Sequence, residues 1–334
     1  MTLKVYPARM TAMATQGGFF RRLSESLAQG PIALMTVVSA EGSTPRIAGA
    51  RQFLTTAGES WGSVGGGVTE SRVMELARET LADGRSRIFN ADLHGKPGDV
   101  RDGVCGGTMT IWIARLDRKN AMAPVRSLEE SLRAGKRVVL STRREGEIPI
   151  TLNSPDNAVI SKDSFAEIIE PSPRLLIVGA GHIGRALARL ARELDFEVSV
   201  QDARAEWLVP SAFPAGCALE FTLAAALEPL RKWEGARFAA LVTRGFPQDV
   251  EALNALKQIP DLDYVGLLGS QRRVATVIAA QSASNGTTWP EDILHAPIGI
   301  EIGAETPAEI AVSIAAEMIQ IMRRDRESAQ RAAR

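Results

Sequence analysis

The sequence predicts an α/β protein in two parts, a mixed α+β first half followed by a doubly wound parallel sheet. Three observations carry this. First, a buried-strand pattern from Arg174 runs into Gly179-x-Gly181-x-x-Gly184 and then an amphipathic helix, with an acid, Asp202, closing the next strand. Second, strand-like and helical runs alternate from there towards the C-terminus. Third, Glu170-Pro171-Ser172-Pro173 breaks structure just before the alternation begins, and 334 residues leave each side enough chain for its own core. The expected organisation is a loose leader over residues 1–18, a first domain over 19–170 and a Rossmann-like domain over 171–334.

Composition narrows the function classes. Apolar residues make up 45% and charged residues 23%, as in ordinary soluble globular proteins. Basic and acidic residues number 39 each, so bulk charge points to neither a nucleic acid nor a membrane surface. No apolar run is long enough to span a bilayer, and Met1 to Gly18 lacks the apolar core of a signal peptide. Two cysteines, Cys105 and Cys217, are too few for a disulfide framework, so a cytoplasmic setting is expected.

In chain order, Phe19 to Gln29 has helical spacing (Phe19, Leu23, Leu27) and stops at Gly30-Pro31, and Ile32 to Val38 follows as an apolar strand. Glu41-Gly42-Ser43-Thr44-Pro45-Arg46 is a turn, and Gln52 to Thr55 with Glu59 to Val64 reads as a hairpin. Gly65-Gly66-Gly67 opens a helix from Val68 to Leu81. Three glycines there either gather orphan N–H groups around an anion, a phosphate being the natural choice, or merely permit tight packing. Ser43, Thr44 and Arg46 become further ligands if the two loops meet. Asn90 to Arg101 reads as a polar loop, and its His94 has no second histidine at metal-ligand spacing. It leads to Cys105, set between glycines before the strand Thr108 to Ala114, whose Met109, Ile111 and Ile113 alternation anchors the loop at a sheet edge. The thiol is either presented to a soft metal or an electrophile, or is a small apolar residue in a turn. A helix at Pro124 to Ala134, a strand at Arg137 to Ser141 and short-strand material from Thr151 to Phe165 complete this half.

In the second half, the glycine fingerprint contains His182 and Ile183, and Asp202 is placed to accept from a ribose 2′-OH, favouring an NAD-like ligand with Arg204 moderating the preference. Phe238 to Val242 (strand), Asp249 to Gln258 (helix) and Tyr264 to Leu268 (strand) continue the alternation. Gly269-Ser270 with Arg272 and Arg273 is either a second anion site or a helix cap with two solvated arginines. His295 to Gly299 is a constrained turn. Thr306-Pro307 caps a long helix from Ala308 to about Arg323, whose face of Ile310, Ile314, Met318 and Ile321 suits packing across a neighbouring domain or another copy of the chain. The chain has three histidines and shows no nucleophile elbow, zinc cluster or hydride-transfer dyad, which weighs against an enzyme. An NAD-dependent oxidoreductase and a thiol redox-sensing regulator stand as alternatives.

Together, Gly42-Ser43-Thr44-Pro45-Arg46, Ser63-Val64-Gly65-Gly66-Gly67 with Glu70, Val104-Cys105-Gly106-Gly107, Gly179 to Gly184, Gly266-Leu267-Leu268-Gly269-Ser270 with Arg272 and Arg273, and His295 to Gly299 with Ile302-Gly303-Ala304 resemble the XdhC/CoxI family. Its members are accessory proteins of xanthine dehydrogenase and related molybdenum hydroxylases. The resemblance runs from about Ala28 to Ile321. It implies a homodimeric chaperone that binds the molybdenum cofactor (molybdopterin), keeps it available to a cysteine desulfurase and hands it to the hydroxylase. In that picture Cys105 faces the molybdenum, aided by Gly106, Gly107, Ser43, Thr44, Arg46, Gly65, Gly66, Gly67 and Glu70. The Rossmann half would hold NAD or a similar nucleotide through Gly179, Gly181, His182, Ile183, Gly184, Asp202, Gly269, Ser270 and Arg272. One departure stands out: where the family often has Thr-His, this chain has Thr243-Arg244-Gly245.

Overall fold

The computed structural model describes residues 16–94, 106–143, 150–153, 164–285 and 288–332. The chain separates into two compact units, Met1–Pro171 and Ser172–Arg334.

The first unit runs α1 (Gln16–Gln29), β1 (Ile32–Gly42), β2 (Arg51–Thr55), β3 (Ser60–Gly62), α2 (Gly67–Asp83), β4 (Arg87–Asp92), β5 (Gly107–Leu116), α3 (Met122–Arg133), β6 (Val138–Arg143), β7 (Ile150–Asn153) and β8 (Ser164–Ile169). An antiparallel sheet has the order β3-β2-β1-β5-β4, and a smaller one the order β7-β6-β8. The first seven residues of β1, Ile32 to Val38, are apolar but for Thr36 and are all buried, because both faces of the strand are covered there. Ile32 and Leu34 pack with Phe20, Leu23 and Leu27 of α1 and with Val125 and Leu128 of α3. Ala33, Met35 and Val37 pack with Val73 and Ala77 of α2. Each large side chain buried this way contributes about 1.5–3 kcal/mol.

Two expectations for this half are corrected. β5 alternates as predicted, with Met109, Ile111 and Ile113 buried, but it lies between β1 and β4 instead of at the edge. The edge is β4, whose Asn90 to Asp92 fell within the predicted polar loop. It pairs with β5 from Arg87↔Ile113 to Asp92↔Thr108. Polar, outward-facing residues are what an edge strand needs to discourage further pairing, and they also make it look like a loop. The two sheets are linked by Arg51, which donates to the fully buried Glu167 of β8. Burial lifts the Glu167 carboxyl above its ordinary range despite the arginine's opposing pull.

The second unit runs β9 (Arg174–Val178), α4 (His182–Glu193), β10 (Glu197–Gln201), β11 (Ala218–Glu220), α5 (Leu223–Lys232), β12 (Arg237–Leu241), α6 (Phe246–Leu256), β13 (Tyr264–Leu267), α7 (Gln271–Asn285), β14 (Leu294–His295) and α8 (Pro307–Ala332). The strands are parallel in the order β11-β10-β9-β12-β13-β14, so the winding reverses between β9 and β12. That reversal opens a crevice at the strands' carboxyl ends. α4 and α8 cover one face, and α5, α6 and α7 the other.

The terminal helix uses its apolar face at home. Ile314 and Met318 of α8 pack with Leu187 and Ala191 of α4, which corrects the expectation that this face reaches beyond its own unit. Glu317 also pins α8, accepting from the Tyr264 hydroxyl at 2.6 Å, from Gly299 N at 2.8 Å, and lying 3.2 Å from His295 Nδ1. Among the described residues no helix is long and apolar enough to cross a membrane.

Candidate functional site

In the first unit the antiparallel pairing of β1 with β5 ends at Gly42↔Gly107, and so lays the Gly42 to Arg46 turn against Gly106 and Gly107. The approach is close at the backbone. A Cβ on Gly107 would lie 2.4 Å from Glu41 O and 2.5 Å from Ser43 O, so nothing larger than glycine fits there. On the other side, Gly106 N donates to Leu93 O at 2.9 Å and Leu93 N donates to Gly107 O at 2.8 Å. The Ser63 to Gly67 turn joins the same cluster, since a Cβ on Gly65 would make ordinary contacts with Pro45 Cγ at 3.7 Å and Met109 Cε at 3.8 Å. Three sequence motifs therefore converge on one end of the sheet.

The turn is held from within. Ser63 Oγ lies 2.7 Å from Glu70 Oε2 and 2.8 Å from Gly65 O, and Gln52 Nε2 donates to Glu70 Oε1 at 3.4 Å. Glu70, expected among the ligand groups, thus fastens the entry of α2. Gly66 occupies the cap position of α2 and so offers no side-chain acceptor to the helix's first N–H groups. Gly66 has an extended backbone, φ −176°, and among the described residues a Cβ there would meet nothing within 4 Å. Neither conformation nor packing asks for glycine at that position; what its absent side chain leaves is open space before a helix N-terminus. Gly106 likewise has no described atom near its Cβ position, although its φ of +76° does favour glycine. Ser43 is exposed, Thr44 half-buried, and Arg46 folds back so that Nη1 donates to Pro45 O at 3.2 Å. Cys105 lies outside the described residues.

Two neighbours were not singled out by sequence reasoning. Gln52 is 3% exposed and its Oε1 has no partner among the described residues. Its signal was a polar residue set directly before Phe53 and Leu54 in a predicted strand. Asp92, at the end of β4, accepts from His94 N at 3.1 Å and lies 2.7 Å from His94 Nδ1. The hydrogen bond from His94 holds the Asp92 carboxyl below its ordinary pKa. Among the described residues no group of three or more His, Cys, Asp or Glu is placed to hold a metal.

The second unit's crevice brings the other predicted group together. Gly179 (φ +117°) lies against the end of β12, where a Cβ would be 3.0 Å from Val242 O, and a Cβ on Gly184 would be 2.0 Å from Gly179 O. Gly181 faces open space. His182 begins α4 and meets the Trp207 ring edge-on with centroids 6.0 Å apart, while Ile183 packs against the core under α4. Asp202, read as a ribose ligand, already accepts from Ala180 N and from three donors of Arg204. Burial alone would raise its pKa, but the Arg204 and Ala180 bonds outweigh it and leave Asp202 below its ordinary value. Gly269 (φ +157°) turns into α7, where Ser270 Oγ accepts from Arg273 N at 3.4 Å. Arg273 is not solvated, as one of the two readings had it: it bridges Thr243 O, Arg244 O and the buried Asp249. Arg272 and Arg244 are exposed.

Comparison with known proteins bears on the family. Residues 175–318 match a family model described as the XdhC Rossmann domain, and residues 26–92 one described as the XdhC and CoxI family. The uncharacterized protein YqeB of Escherichia coli K12 is 30% identical over 293 residues, covering 87% of this chain but 43% of YqeB, so this chain spans less than half of that relative. A Bacillus subtilis protein described as a probable subunit of xanthine dehydrogenase is 27% identical, with 87% and 93% of the two chains covered. The molybdenum cofactor insertion chaperone PaoD of Escherichia coli K12 is 23% identical, with 86% and 82% covered. A solved structure described as a xanthine dehydrogenase from Bacillus halodurans matches with a TM-score of 0.73 at 25% identity, covering 93% of this chain and 96% of the other.

Proposed function

The chain belongs to the XdhC and CoxI family, and from that premise we propose that it is a molybdenum-cofactor chaperone. It would hold the molybdopterin form of the cofactor as cargo, keep it open to sulfuration by a cysteine desulfurase, and insert it into apo xanthine dehydrogenase or a related molybdenum hydroxylase. A relative named as a molybdenum cofactor insertion chaperone supports the cargo class, and one named as a probable xanthine dehydrogenase component supports the recipient.

The observation that carries the reading is the clearing at Gly66. Three loops meet beside it, the cap glycine of α2 brings no side-chain acceptor of its own, and among the described residues no atom lies within 4 Å of where a Gly66 Cβ would stand. The cofactor's pterin arm ends in a phosphate, and a helix N-terminus attracts such an anion through both its donors and its dipole. Arg46, from the facing turn, adds a cation within the same loop cluster. Cys105, one residue before Gly106, supplies the soft donor that molybdenum accepts alongside its own sulfur ligands. Loop contacts suit cargo that must later be released. The protein is expected to act as a dimer.

The test is to purify the chain from cells that make the cofactor and to assay bound pterin and molybdenum. The expected result is retention by the wild type and loss of molybdenum in Cys105→Ala. Equal retention by both defeats the role of the thiol; no retention by either defeats the chaperone reading.

A further inference from the structure

The crevice of the second unit has a charge pattern that the cargo site does not explain. α4 and α7 follow parallel strands, so both helix N-termini face this edge of the sheet. Each carries the equivalent of about half a positive charge, which normally attracts acidic residues. Neither helix has an acid in its first turn; α4 begins with His182 and Arg185 close behind, and α7 has Arg272 and Arg273. Like charges stacked on a positive helix end are unfavourable by about 0.3–1 kcal/mol apiece unless an anion sits among them.

The two buried acids at this edge do not supply that anion, because each is closed by an arginine. Asp249 is paired with Arg273. Asp202 Oδ1 accepts from Arg204 N at 3.0 Å and Nε at 2.9 Å, and Oδ2 from Ala180 N at 2.9 Å and Arg204 Nη2 at 2.8 Å. A carboxylate has roughly four acceptor positions, and all four are taken from within the chain. A ribose diol would find no acceptor there. Arg204, by contrast, remains half in solvent, with its side chain 54% exposed, and its Nη1 takes no part in the pairing with the carboxylate. Its guanidinium lies 4.8 Å from the centre of the Trp207 ring, and Arg185 lies 5.2 Å from the same ring. The exposed Glu206 is the one acid in the turn between them, and it weakens this field without cancelling it.

We infer that the crevice takes a nucleotide bearing a phosphate on its adenosine ribose, and that Arg204 selects it over the unphosphorylated form. Gly181 leaves room for the pyrophosphate above the start of α4, and the planar guanidinium matches a phosphate's paired oxygens. This rests on the second unit alone and stands whether or not the first unit carries the cofactor.

Calorimetric titration of the full chain at low salt with NADP⁺, NAD⁺, 2′,5′-ADP and 5′-AMP tests it. Each 2′-phosphorylated ligand is expected to bind at least about tenfold more tightly than its partner. Arg204→Ala should lower NADP⁺ affinity about tenfold and, by freeing Asp202, raise that for NAD⁺, inverting the order. Arg204→Lys, which keeps the charge but loses the fork, should fall between. Equal or tighter binding of NAD⁺ by the wild type, no saturable binding of any of the four, or an unchanged order in a folded Arg204→Ala overturns the assignment. The wild-type comparison needs no variant to fold.

Discussion

The protein has two glycine-rich entries into helices, and they use glycine for opposite reasons. At Gly179 to Gly184 the first and third glycines are demanded by the chain's own packing: a Cβ would collide with Val242 in one case and with the Gly179 carbonyl in the other. Only Gly181 is free. At Gly65 to Gly67 the neighbours are loose, and among the described residues Gly66 and Gly67 face nothing within 4 Å. The first pattern is a turn built to bring a helix down onto a sheet. The second leaves space in front of a helix that no described residue fills at Gly66. Sequence alone cannot separate these cases, because both read as strand, glycines, helix.

Substitution should pull the two turns apart. Gly184→Ala should have the largest effect, about 3 kcal/mol or more, because its Cβ would sit 2.0 Å from a backbone oxygen that cannot swing away. Urea denaturation followed through Trp207 and Trp233 reads this directly. Asp202→Asn comes next, at about 2 kcal/mol, since it removes the charged acceptor that ties Ala180 and Arg204 together. It also carries a pH signature. The folded pKa of Asp202 is depressed, so its contribution is complete above its unfolded value of about 4 and is lost as pH falls through the folded value. The wild type should therefore lose more stability on acidification than Asp202→Asn; parallel curves would show that the carboxylate does not pin the turn.

Gly67→Ala should cost about 1 kcal/mol, the strain of a positive φ of +60° with no steric clash added. Gly66→Ser should be the mildest, neutral or stabilising by a few tenths of a kcal/mol, because serine caps helices well and φ −176° suits any residue. A loss above about 1 kcal/mol at Gly66 would mean that its surroundings are packed, and the contrast between the two turns would fail.

Much of this was legible beforehand. The second unit followed from its glycine spacing and from the period of its strands. Phe19, Leu23 and Leu27 marked the buried face of α1, all three being at most 5% exposed. What escaped was set by partners distant in sequence. β4 was hidden because an edge strand carries polar residues, and β5 looked like an edge because its true neighbour was missing. Arg273 stood open between an anion ligand and a solvated cation, because Asp249 and the Thr243 carbonyl reach it only through the folded sheet. Asp202 and Arg204 lie two residues apart, yet the bidentate closure that fills the carboxylate depends on backbone angles that no spacing rule encodes. The meeting of the Ser43 loop with the Gly65 turn was foreseen only as a condition; the end of the β1–β5 ladder is what brings it about.

The measurement that bears most directly on the cargo site is the molybdenum and pterin content of Gly66→Asp beside the wild type, with denaturation midpoints in parallel. Aspartate is a favoured helix cap, so the fold should be as stable as before or more so, while its carboxylate fills the clearing and repels a phosphate. The account predicts at least a tenfold fall in bound cofactor at an undiminished midpoint. Undiminished cofactor in Gly66→Asp would show that the cargo sits elsewhere.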